Sequence, residues 1–323
     1  MLDEVLEALS PKDDEVYVDG TLGAGGYTRA ILEAANCRVI AFDRDPDAIK
    51  AAQDWGGVYG DRLVLKNHPF ADINEVLSGI EFQGAVFDLG VSSMQLDQAA
   101  RGFSFRFDGP LSMRMDQQKP DASDLVNNAS KEDLSGIMKV YGEERFASRI
   151  ASAIVREREK ESIETTGRLA AIIERAAPTN PKSKIHPATR AFQAFRIFVN
   201  NELGQINDAL AGVEQLMESD ARLVVVTFHS LEDRVVKKFL ASRSGRVGQP
   251  SRHAPLEVEQ SPSFSLLNSK AQAASDQEIE LNPRARSAKL RAAIRTATMP
   301  WPNKKNEFTP RLETSDSLNG WRC

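Results

Sequence analysis

The sequence is poor in the residues that hold disulfides and structural metals. Its 323 residues include two cysteines, Cys37 and Cys323, and four histidines. The cysteines lie far apart and form no C-x-x-C pair, which excludes a disulfide framework and argues against a cysteine-bound zinc ion. The histidines are scattered along the chain rather than grouped at ligand spacing. We therefore expect no metal centre.

Long apolar runs are also missing. No stretch of 18 or more residues is free of charged side chains, which excludes a membrane-spanning helix. The first fifteen residues carry six acidic side chains, the wrong charge for a secretory or transit peptide. Hydrophobic residues make up 41% of the chain and charged residues 27%, the balance of a globular protein. The length predicts about two domains, and we expect a cytoplasmic protein without a membrane partner.

Positive charge is not in excess overall, but it is unevenly distributed. The formal net charge is −5, which argues against a general nucleic-acid binder. Residues 223–323 nevertheless hold 16 basic and 10 acidic side chains, so that they carry +6 and the preceding residues −11. A basic C-terminal third on an acidic body can bind a polyanion locally.

Short apolar runs alternate with amphipathic stretches over the first ninety residues. This pattern predicts strands over 16–20, 38–43, 62–66 and 85–88, with helices over 27–36, after Pro46 and over 73–77. Such alternation is typical of βαβ units and a mostly parallel sheet, so we expect an α/β fold.

The alternation is interrupted in the middle of the chain. Between about 97 and 201 the pattern predicts helices, most clearly over 141–159 and 187–199, where Phe192, Phe195 and Val199 have core spacing. A strand returns over 223–228, a helix follows over 232–240, and 286–295 is a candidate last strand. We therefore expect a discontinuous cofactor-binding domain (1–96 and 203–297), a helical insertion (97–202) and a flexible tail (298–323).

The first strand ends in the glycine-rich turn Asp19-Gly-Thr-Leu-Gly-Ala-Gly-Gly26, which opens a helix. Glycines here, Gly23 and Gly25 among them, let a ligand approach the backbone closely. A dinucleotide fingerprint would need a third glycine where Thr28 stands. The acidic Asp19 suits the cationic groups of S-adenosylmethionine better than a pyrophosphate. Both cofactor classes stay open, with the nicotinamide class disfavoured.

Further candidates follow the next strands. Asp43 ends the second strand, where a carboxylate can accept hydrogen bonds from both hydroxyls of a ribose. Phe70 follows the third strand and is placed to pack on an adenine. A loop leaves the fourth strand at Asp88 and continues through residues 101–115, rich in Phe, Met and Arg. Its composition fits a functional loop and a self-packed lid equally well.

Seven segments together resemble one family. They are Asp19–Gly26, Asp88–Ser93, Arg101–Phe105, Tyr141–Arg145, His186–Arg190, Phe228–Arg234 and Asn282–Arg286. In these segments the chain is similar to the bacterial RsmH (MraW) family of ribosomal RNA cytosine-N4 methyltransferases. The resemblance implies a class I, Rossmann-like S-adenosylmethionine methyltransferase with an inserted helical domain. It also implies methylation of cytosine 1402 in the decoding region of 16S rRNA, with the small ribosomal subunit as partner. A second copy of the chain is a further candidate partner.

The resemblance also assigns site residues. The family's cofactor contacts match Gly25, Gly26, Tyr27, Asp43, Phe70, Asp88 and Gln95. Tyr27 stands where many relatives have histidine, so that its contact is expected through the backbone. The family also has a slightly longer N-terminal segment, with a histidine and a Pro-Val step, which forms an edge of the cofactor pocket.

The resemblance identifies the catalytic residue less directly. The cytosine N4 amine is a weak nucleophile, so catalysis needs in-line positioning and an acceptor for an N4 proton. Asp88 is one candidate acceptor; Ser92, Ser93 or a backbone carbonyl of the same loop are others. The chain lacks the Asn/Asp-Pro-Pro-aromatic turn of many amino methyltransferases. Our hypothesis is that Asp88 mainly orients the cofactor.

A base in structured RNA must be unstacked to reach such a site, so we expect cationic contacts to phosphates nearby. The candidates are Arg101, Arg145, Arg149, Arg190, Arg196, Arg284, Arg286, Lys289, Arg291 and Arg295. His229 and Ser230 do not form a hydrolase site, because no G-x-S-x-G motif is present. His229 is interpreted as a hydrogen-bonded residue at a strand end.

Two other functions compete with the methyltransferase. The first is an oxidoreductase that binds a nicotinamide cofactor on the same type of sheet. The second is a non-catalytic assembly factor that binds ribosomal RNA through the basic C-terminal third.

Overall fold

The structure is a computed structural model that describes residues 1–177, 186–246, 260–302, 304, 306–318 and 321, without the side chains of 93, 281 and 317. The chain divides into two compact units. The first is formed by Met1–Gly90 and Leu203–Thr309, and the second by Val91–Glu202 and Pro310–Cys323. The domain boundaries predicted from the sequence are 96/97, 202/203 and 297/298.

In the described part of the chain, the first unit is built on an eight-stranded β-sheet. Its strands are β1 (Val16–Asp19), β2 (Arg38–Phe42), β3 (Leu63–Lys66), β4 (Phe82–Asp88), β5 (Met217–Thr227), β6 (Phe264–Leu266), β7 (Gln272–Ala273) and β8 (Lys289–Arg295). They lie in the order β3-β2-β1-β4-β5-β8-β6, and β7 also pairs with β8.

Strand direction decides where a ligand can bind. β1 to β5 run parallel, and β8 lies antiparallel between β5 and β6. The chain leaves β1 toward β2 on one side of the sheet and returns to β4 on the other. At such a reversal of strand order, the carboxyl ends of the strands form the crevice that binds ligands in open α/β sheets. The predicted mostly parallel α/β fold is confirmed.

The described residues form thirteen α-helices. They are α1 (Leu2–Leu9), α2 (Gly26–Ala34), α3 (Pro46–Gly56), α4 (Ile73–Val76), α5 (Ser93–Asp97), α6 (Ala122–Asn128), α7 (Lys131–Gly142), α8 (Ala147–Arg158), α9 (Thr166–Ala176), α10 (Ala188–Val199), α11 (Glu202–Leu216), α12 (Ser230–Arg243) and α13 (Asp276–Leu281). Helices α5 to α10 make the second unit helical. None of the described helices is long and apolar enough to cross a lipid bilayer.

The core of the first unit lies between the sheet and its helices. Strand residues Val86 and Val224 are buried there together with Val5 and Leu9 of α1. Val5 and Leu9 are four residues apart and therefore face the sheet from one side of the helix. The sequence analysis did not predict α1, although this spacing is its signal.

The core of the second unit is made mostly by helices, with Leu111, Met113 and Ile163 of the connecting segments also buried. Phe192, Phe195 and Val199 of α10 are buried, which confirms their interpretation as core residues. The range 141–159, predicted as one helix, contains the end of α7 and the whole of α8, with a break at residues 143–146. α7 ends at Gly142, Glu143 adopts a left-handed conformation (φ 48°), and the Glu144 carboxylate accepts a hydrogen bond from the Phe146 amide at 2.8 Å. The apolar periodicity of two short helices looked like that of one.

The segment after residue 298, expected to be flexible, makes specific contacts within each unit. In the first unit, the Trp301 indole nitrogen donates to the Ser261 carbonyl at 3.0 Å, and Phe308 packs edge-on against Phe239. In the second unit, Leu318 is buried, and the Ser315 hydroxyl donates to Asp133 at 2.6 Å. The polar, proline-containing composition of this segment predicts flexibility and does not indicate which few side chains make these contacts.

An arginine buried in the first unit links this segment to the core. The Arg243 guanidinium is 2% exposed and lies 2.9 Å from the carboxylate of the fully buried Glu214. It also lies over the rings of Trp301 and Phe308, at 4.8 and 5.6 Å from their centroids. Paired charge and stacked rings therefore hold the segment together.

We predict that Arg243→Met lowers the stability of the first unit by about 3–5 kcal/mol, because it removes the guanidinium that pairs with the buried Glu214 carboxylate. Urea unfolding followed by far-ultraviolet circular dichroism measures the loss. Arg246→Met, at an exposed position nearby, is the matched control and should change little. Equal stability of the two variants would contradict the assigned role.

Candidate functional site

The turn between β1 and α2 is held in shape by two glycines with positive φ. Gly23 has φ 50° and Gly25 has φ 81°, values that residues other than glycine rarely adopt. A Cβ atom on Gly25 would overlap the ring of Trp55, whereas one on Gly26 would meet nothing within 4 Å. The chain therefore packs tightly behind the turn at Gly25 and leaves open space at the first residue of α2.

Asp19 stabilises this turn from inside. Its carboxylate is fully buried and accepts hydrogen bonds from the Thr21 amide at 3.0 Å and the Thr28 hydroxyl at 2.7 Å. Burial raises the pKa of Asp19, and these hydrogen bonds oppose the rise. Thr28, which replaces the third glycine of a dinucleotide fingerprint, is thus a partner of Asp19. The sequence predicts that Asp19 faces a ligand. In the structure, each of its oxygens instead accepts a hydrogen bond from within the turn and the start of α2.

Asp43 follows β2 and links the second strand end to the turn. One carboxylate oxygen accepts the Gly23 amide at 2.9 Å and the other accepts the Asp45 amide at 2.8 Å. Burial raises the pKa of Asp43 to about 6, although both amide bonds favour the charged form. Each carboxylate oxygen has more than one acceptor site, so the group keeps capacity for further donors such as hydroxyls.

Asp88 ends β4 beside the same turn. Its amide donates to the Thr21 hydroxyl at 2.6 Å. The side-chain Oδ1 atom is buried and has no hydrogen-bond partner among the described residues. Burial raises the pKa of Asp88 to about 7, with further contributions from the charges of Asp19 and Glu232. A buried acceptor without a donor is rare in proteins and marks the place where a ligand donor is expected.

Two neighbours of Asp88 complete its surroundings in this unit. Tyr27, the first-turn residue of α2, is half-buried, and its pKa is raised by burial and then by the charges of Asp88 and Asp19. Phe70 lies in a short 3-10 helix after β3 and packs edge-on against Phe87, with ring centroids 5.8 Å apart. The structure therefore places Phe70 beside β4, the strand that ends in Asp88.

The segment after β5 contributes a buried carboxylate that the sequence analysis did not single out. Glu232 is fully buried, and its Oε2 atom accepts the amides of Phe228 and His229 at 2.8 and 3.2 Å. In return, His229 Nδ1 accepts the Glu232 amide at 3.4 Å, so the two residues cap α12 reciprocally. The interpretation of His229 as a hydrogen-bonded strand-end residue is confirmed. The available signal for Glu232 was its place in the Phe228–Arg234 segment.

Ser92 and Gln95 belong to the second unit. The Ser92 hydroxyl accepts the Gln95 amide at 3.2 Å, and the Gln95 side-chain oxygen accepts the Ser92 amide at 3.1 Å. The two side chains thus form the capping box of α5, a role that the sequence analysis did not foresee. The side chain of Ser93 lies outside the described part of the chain.

The arginines proposed to contact RNA fall into two groups. Arg101 is buried and donates to the Arg114 and Met115 carbonyls, and Arg196 forms a bidentate pair with Glu202 at 2.7 and 2.8 Å. Of the basic run near the C-terminus, Lys289 and Arg291 pair with Asp233, and Arg295 is buried among carbonyls. The exposed candidates are Arg145, Arg149, Arg190, Arg284 and Arg286. A phosphate contact does not fit Arg101, Arg196 and Arg295, because folding already uses their donors. Lys289 is exposed and Arg291 is half-buried, and each keeps its ion pair with Asp233.

Comparison with known proteins identifies the family. The chain matches the model of the MraW methylase family over residues 1–296. It belongs to that family. Relatives called "Ribosomal RNA small subunit methyltransferase H" include those of Parvibaculum lavamentivorans (50% identical, covering 94% of this chain and 90% of the relative), Maricaulis maris (52%, covering 98% and 94%) and Caulobacter vibrioides (51%, covering 93% and 96%). The family expected from the sequence motifs is therefore confirmed.

A solved structure shows a more distant likeness. A "putative rRNA-methylase" from Clostridium thermocellum aligns with 90% of this chain and 94% of its own at 13% identity, with a TM-score of 0.42. This likeness is too weak to add to the match with the MraW methylase family.

In this MraW methylase family member, the raised pKa of Asp88 makes a prediction about stability and pH. The folded chain retains the Asp88 proton up to about pH 7, whereas an unfolded chain releases it near pH 4. Stability should therefore fall as the pH rises between these values. Asp88→Asn removes the charge, so it should be more stable than the wild type at pH 8, by on the order of 3 kcal/mol, with the difference shrinking toward pH 4.

Thermal melting of both proteins across this pH range measures the difference. Asp61→Asn, at an exposed acidic position of the same unit, is the control and should follow the wild type at every pH. A pH-independent difference between Asp88→Asn and the wild type would show that Asp88 carries no buried charge.

Proposed function

We propose that this chain uses S-adenosylmethionine to methylate the N4 amine of a cytosine in 16S ribosomal RNA, the cytosine at position 1402 in the decoding region. Membership of the MraW methylase family supports methyl transfer. The names of its half-identical relatives support small-subunit ribosomal RNA as the substrate. The cytosine and its N4 atom rest on the motifs set out in the sequence analysis.

The observation that carries the cofactor proposal is the orphaned Oδ1 atom of Asp88. S-adenosylmethionine offers an ammonium, a sulfonium and two ribose hydroxyls, and supplies a methyl group on a cationic sulfur when bound. A buried carboxyl group without a donor fits such a cation. Asp43, already oriented by two amides, would accept hydrogen bonds from the ribose hydroxyls. The open space at Gly26 would let the ligand come close to the chain.

The remaining assignments follow from the same strand ends. Phe70 would pack on the adenine, and Tyr27 would border the site beside Asp88. Asp19 and Gly23 act through the turn, because the Asp19 oxygens and the Gly23 amide are already bonded within it. Gln95 is assigned to the cofactor set by the family motifs, and Ser92 is a candidate proton acceptor because it lies in the loop that follows Asp88.

The chain's contribution to catalysis is orientation and charge. Asp88 Oδ1, with its pKa near 7, is ionised in part at neutral pH and completely so above it. Ionised, it orients a cationic cofactor for in-line attack; it also has a suitable pKa to accept a proton from N4. We assign the orienting role to Asp88 and leave Ser92 and a backbone carbonyl as candidate acceptors.

We predict that Asp88→Asn weakens binding of S-adenosylmethionine on the order of tenfold or more, since a charge-assisted hydrogen bond is lost. Wild-type affinity should rise between pH 6 and pH 8 as Asp88 ionises, while the affinity of Asp88→Asn should stay flat. Isothermal titration calorimetry measures both, with Asp61→Asn as the matched control. Normal affinity of Asp88→Asn combined with loss of turnover would instead make Asp88 the proton acceptor.

The substrate must present an unstacked base, because N4 is buried within a paired and stacked helix. The proposed phosphate contacts include the exposed arginines Arg145, Arg149, Arg190, Arg284 and Arg286. Phosphate contacts of this kind position the RNA without reading its sequence.

The decisive experiment uses methyl-labelled S-adenosylmethionine and small-subunit RNA, as naked RNA and as assembled subunits. We expect mass spectrometry of the digested RNA to find one labelled cytidine with the methyl group on N4. Binding of the RNA without any label would favour the assembly factor. An oxidoreductase would be indicated if NAD(H), rather than S-adenosylmethionine, raised the melting temperature.

A further inference from the structure

The helical unit contains a groove between α8 and α9 that the site described above does not include. Its cavity volume is about 310 Å³. Arg149, Ser152 and Arg156 line it from α8, and Arg175 lines it from α9. The three α8 residues have the spacing i, i+3 and i+7, which places them on one face of the helix. Guanidinium groups from two helices therefore converge on one opening, here called the α8–α9 groove.

Two of these guanidinium groups are not held by a direct contact, although the charge of Arg175 acts on Glu157. Arg149 and Arg175 are exposed, and neither has a hydrogen bond or an ion pair within the described part of the chain. Other arginines of the unit are used in folding: Arg158, for example, donates to the Val126 and Ala129 carbonyls. Arg149 and Arg175 thus keep all their donors for a ligand.

A carboxylate within the groove shows that negative charge is stabilised there. Glu157 Oε1 lies 3.0 Å from Lys160 Nζ and 3.6 Å from Arg156 Nε. The hydrogen bond from Lys160, followed by the charges of Lys160, Arg175 and Arg156, holds the pKa of Glu157 below its usual value. The cations of the groove outnumber this single acid, so the field there favours a further anion.

We propose that the α8–α9 groove binds backbone phosphates of the RNA substrate; this inference rests on the proposed function. Guanidinium forks match phosphate oxygens bidentately. Arg149 and Arg156 are separated by about 10 Å along the helix axis, so they reach different phosphates of one strand. Among the described residues that line the groove, none has an aromatic ring or a side-chain amide to read a base. The groove positions the RNA and leaves recognition of the cytosine to the methyl-transfer site.

The test removes the charges of Arg149 and Arg175 together. We expect Arg149→Gln/Arg175→Gln to raise the dissociation constant for purified 16S ribosomal RNA on the order of tenfold at low salt. The slope of log affinity against log salt concentration should fall by about 2, one for each lost phosphate contact. The same weakening is expected on polyuridine, because phosphate contacts carry no sequence information.

The control variant removes the same charge elsewhere in the unit. Lys131→Gln/Lys139→Gln alters two exposed lysines of α7 and should leave the salt slope nearly unchanged. Glu157→Gln removes a negative charge from the groove and should have the opposite effect on affinity. Without the competing carboxylate, RNA should bind several-fold more tightly. A groove that only stabilises the fold would not respond in this way. Melting temperature and S-adenosylmethionine affinity report whether each variant is folded.

The outcomes separate the groove from the proposed function. If Arg149→Gln/Arg175→Gln binds RNA like the lysine control, the groove is not a phosphate site, and an acidic protein segment becomes the better occupant. Methyl transfer by the wild-type protein is measured in the same preparations. If the wild-type protein labels the RNA and the arginine variant binds RNA normally, only the assignment of the groove as a phosphate site is overturned. If the wild-type protein does not label the RNA, the proposed function is overturned.

Discussion

Burial of carboxyl groups at adjacent strand ends is the constraint on which the first unit's site depends. Asp19, Asp43 and Asp88 lie at the carboxyl ends of β1, β2 and β4, with Asp19 fully buried and the other two half-buried. Burial raises the pKa of each, and Asp19 adds to the rise at both others through its charge. Hydrogen bonds from the turn offset this cost for Asp19 and Asp43. No described residue donates a hydrogen bond to Asp88 Oδ1, so the arrangement favours a ligand that brings positive charge.

The three acids differ in function because they differ in available partners. Asp19 is bonded on both oxygens and acts on the shape of the turn. Asp43 is bonded on both oxygens by amides alone and keeps acceptor capacity toward hydroxyls. Residues of one chemical type, spaced along one edge of a sheet, thereby become a structural group, a ribose acceptor and a cation partner in the proposed enzyme.

Arginines show the same division between folding and function. Arg101, Arg243 and Arg295 are buried and Arg196 is half-buried, with their donors bonded to carbonyls or carboxylates. A buried guanidinium that has its partners stabilises the unit, whereas breaking the pair leaves an expensive charge behind. Exposed arginines such as Arg149 and Arg175 keep their donors, and these are the ones that a polyanion can reach. Net charge does not reveal this difference, because it weighs both kinds equally.

Local pattern was enough to predict the α/β class, the helical insertion and the family, because the strand–turn–helix spacing and the motif segments are contiguous in the chain. Local pattern also located Asp43 and Asp88, since a strand end follows directly from an apolar run. It could not predict which carboxylate has hydrogen-bond donors within the protein. The Thr28 hydroxyl that donates to Asp19 and the Glu232 charge that raises the pKa of Asp88 both come from other elements. Nor could it separate α7 from α8, or show that Trp301 and Leu318 anchor the C-terminal segment. Hydrogen-bond partners, burial and mutual charge depend on which distant residues fold together, and only the tertiary structure decides that.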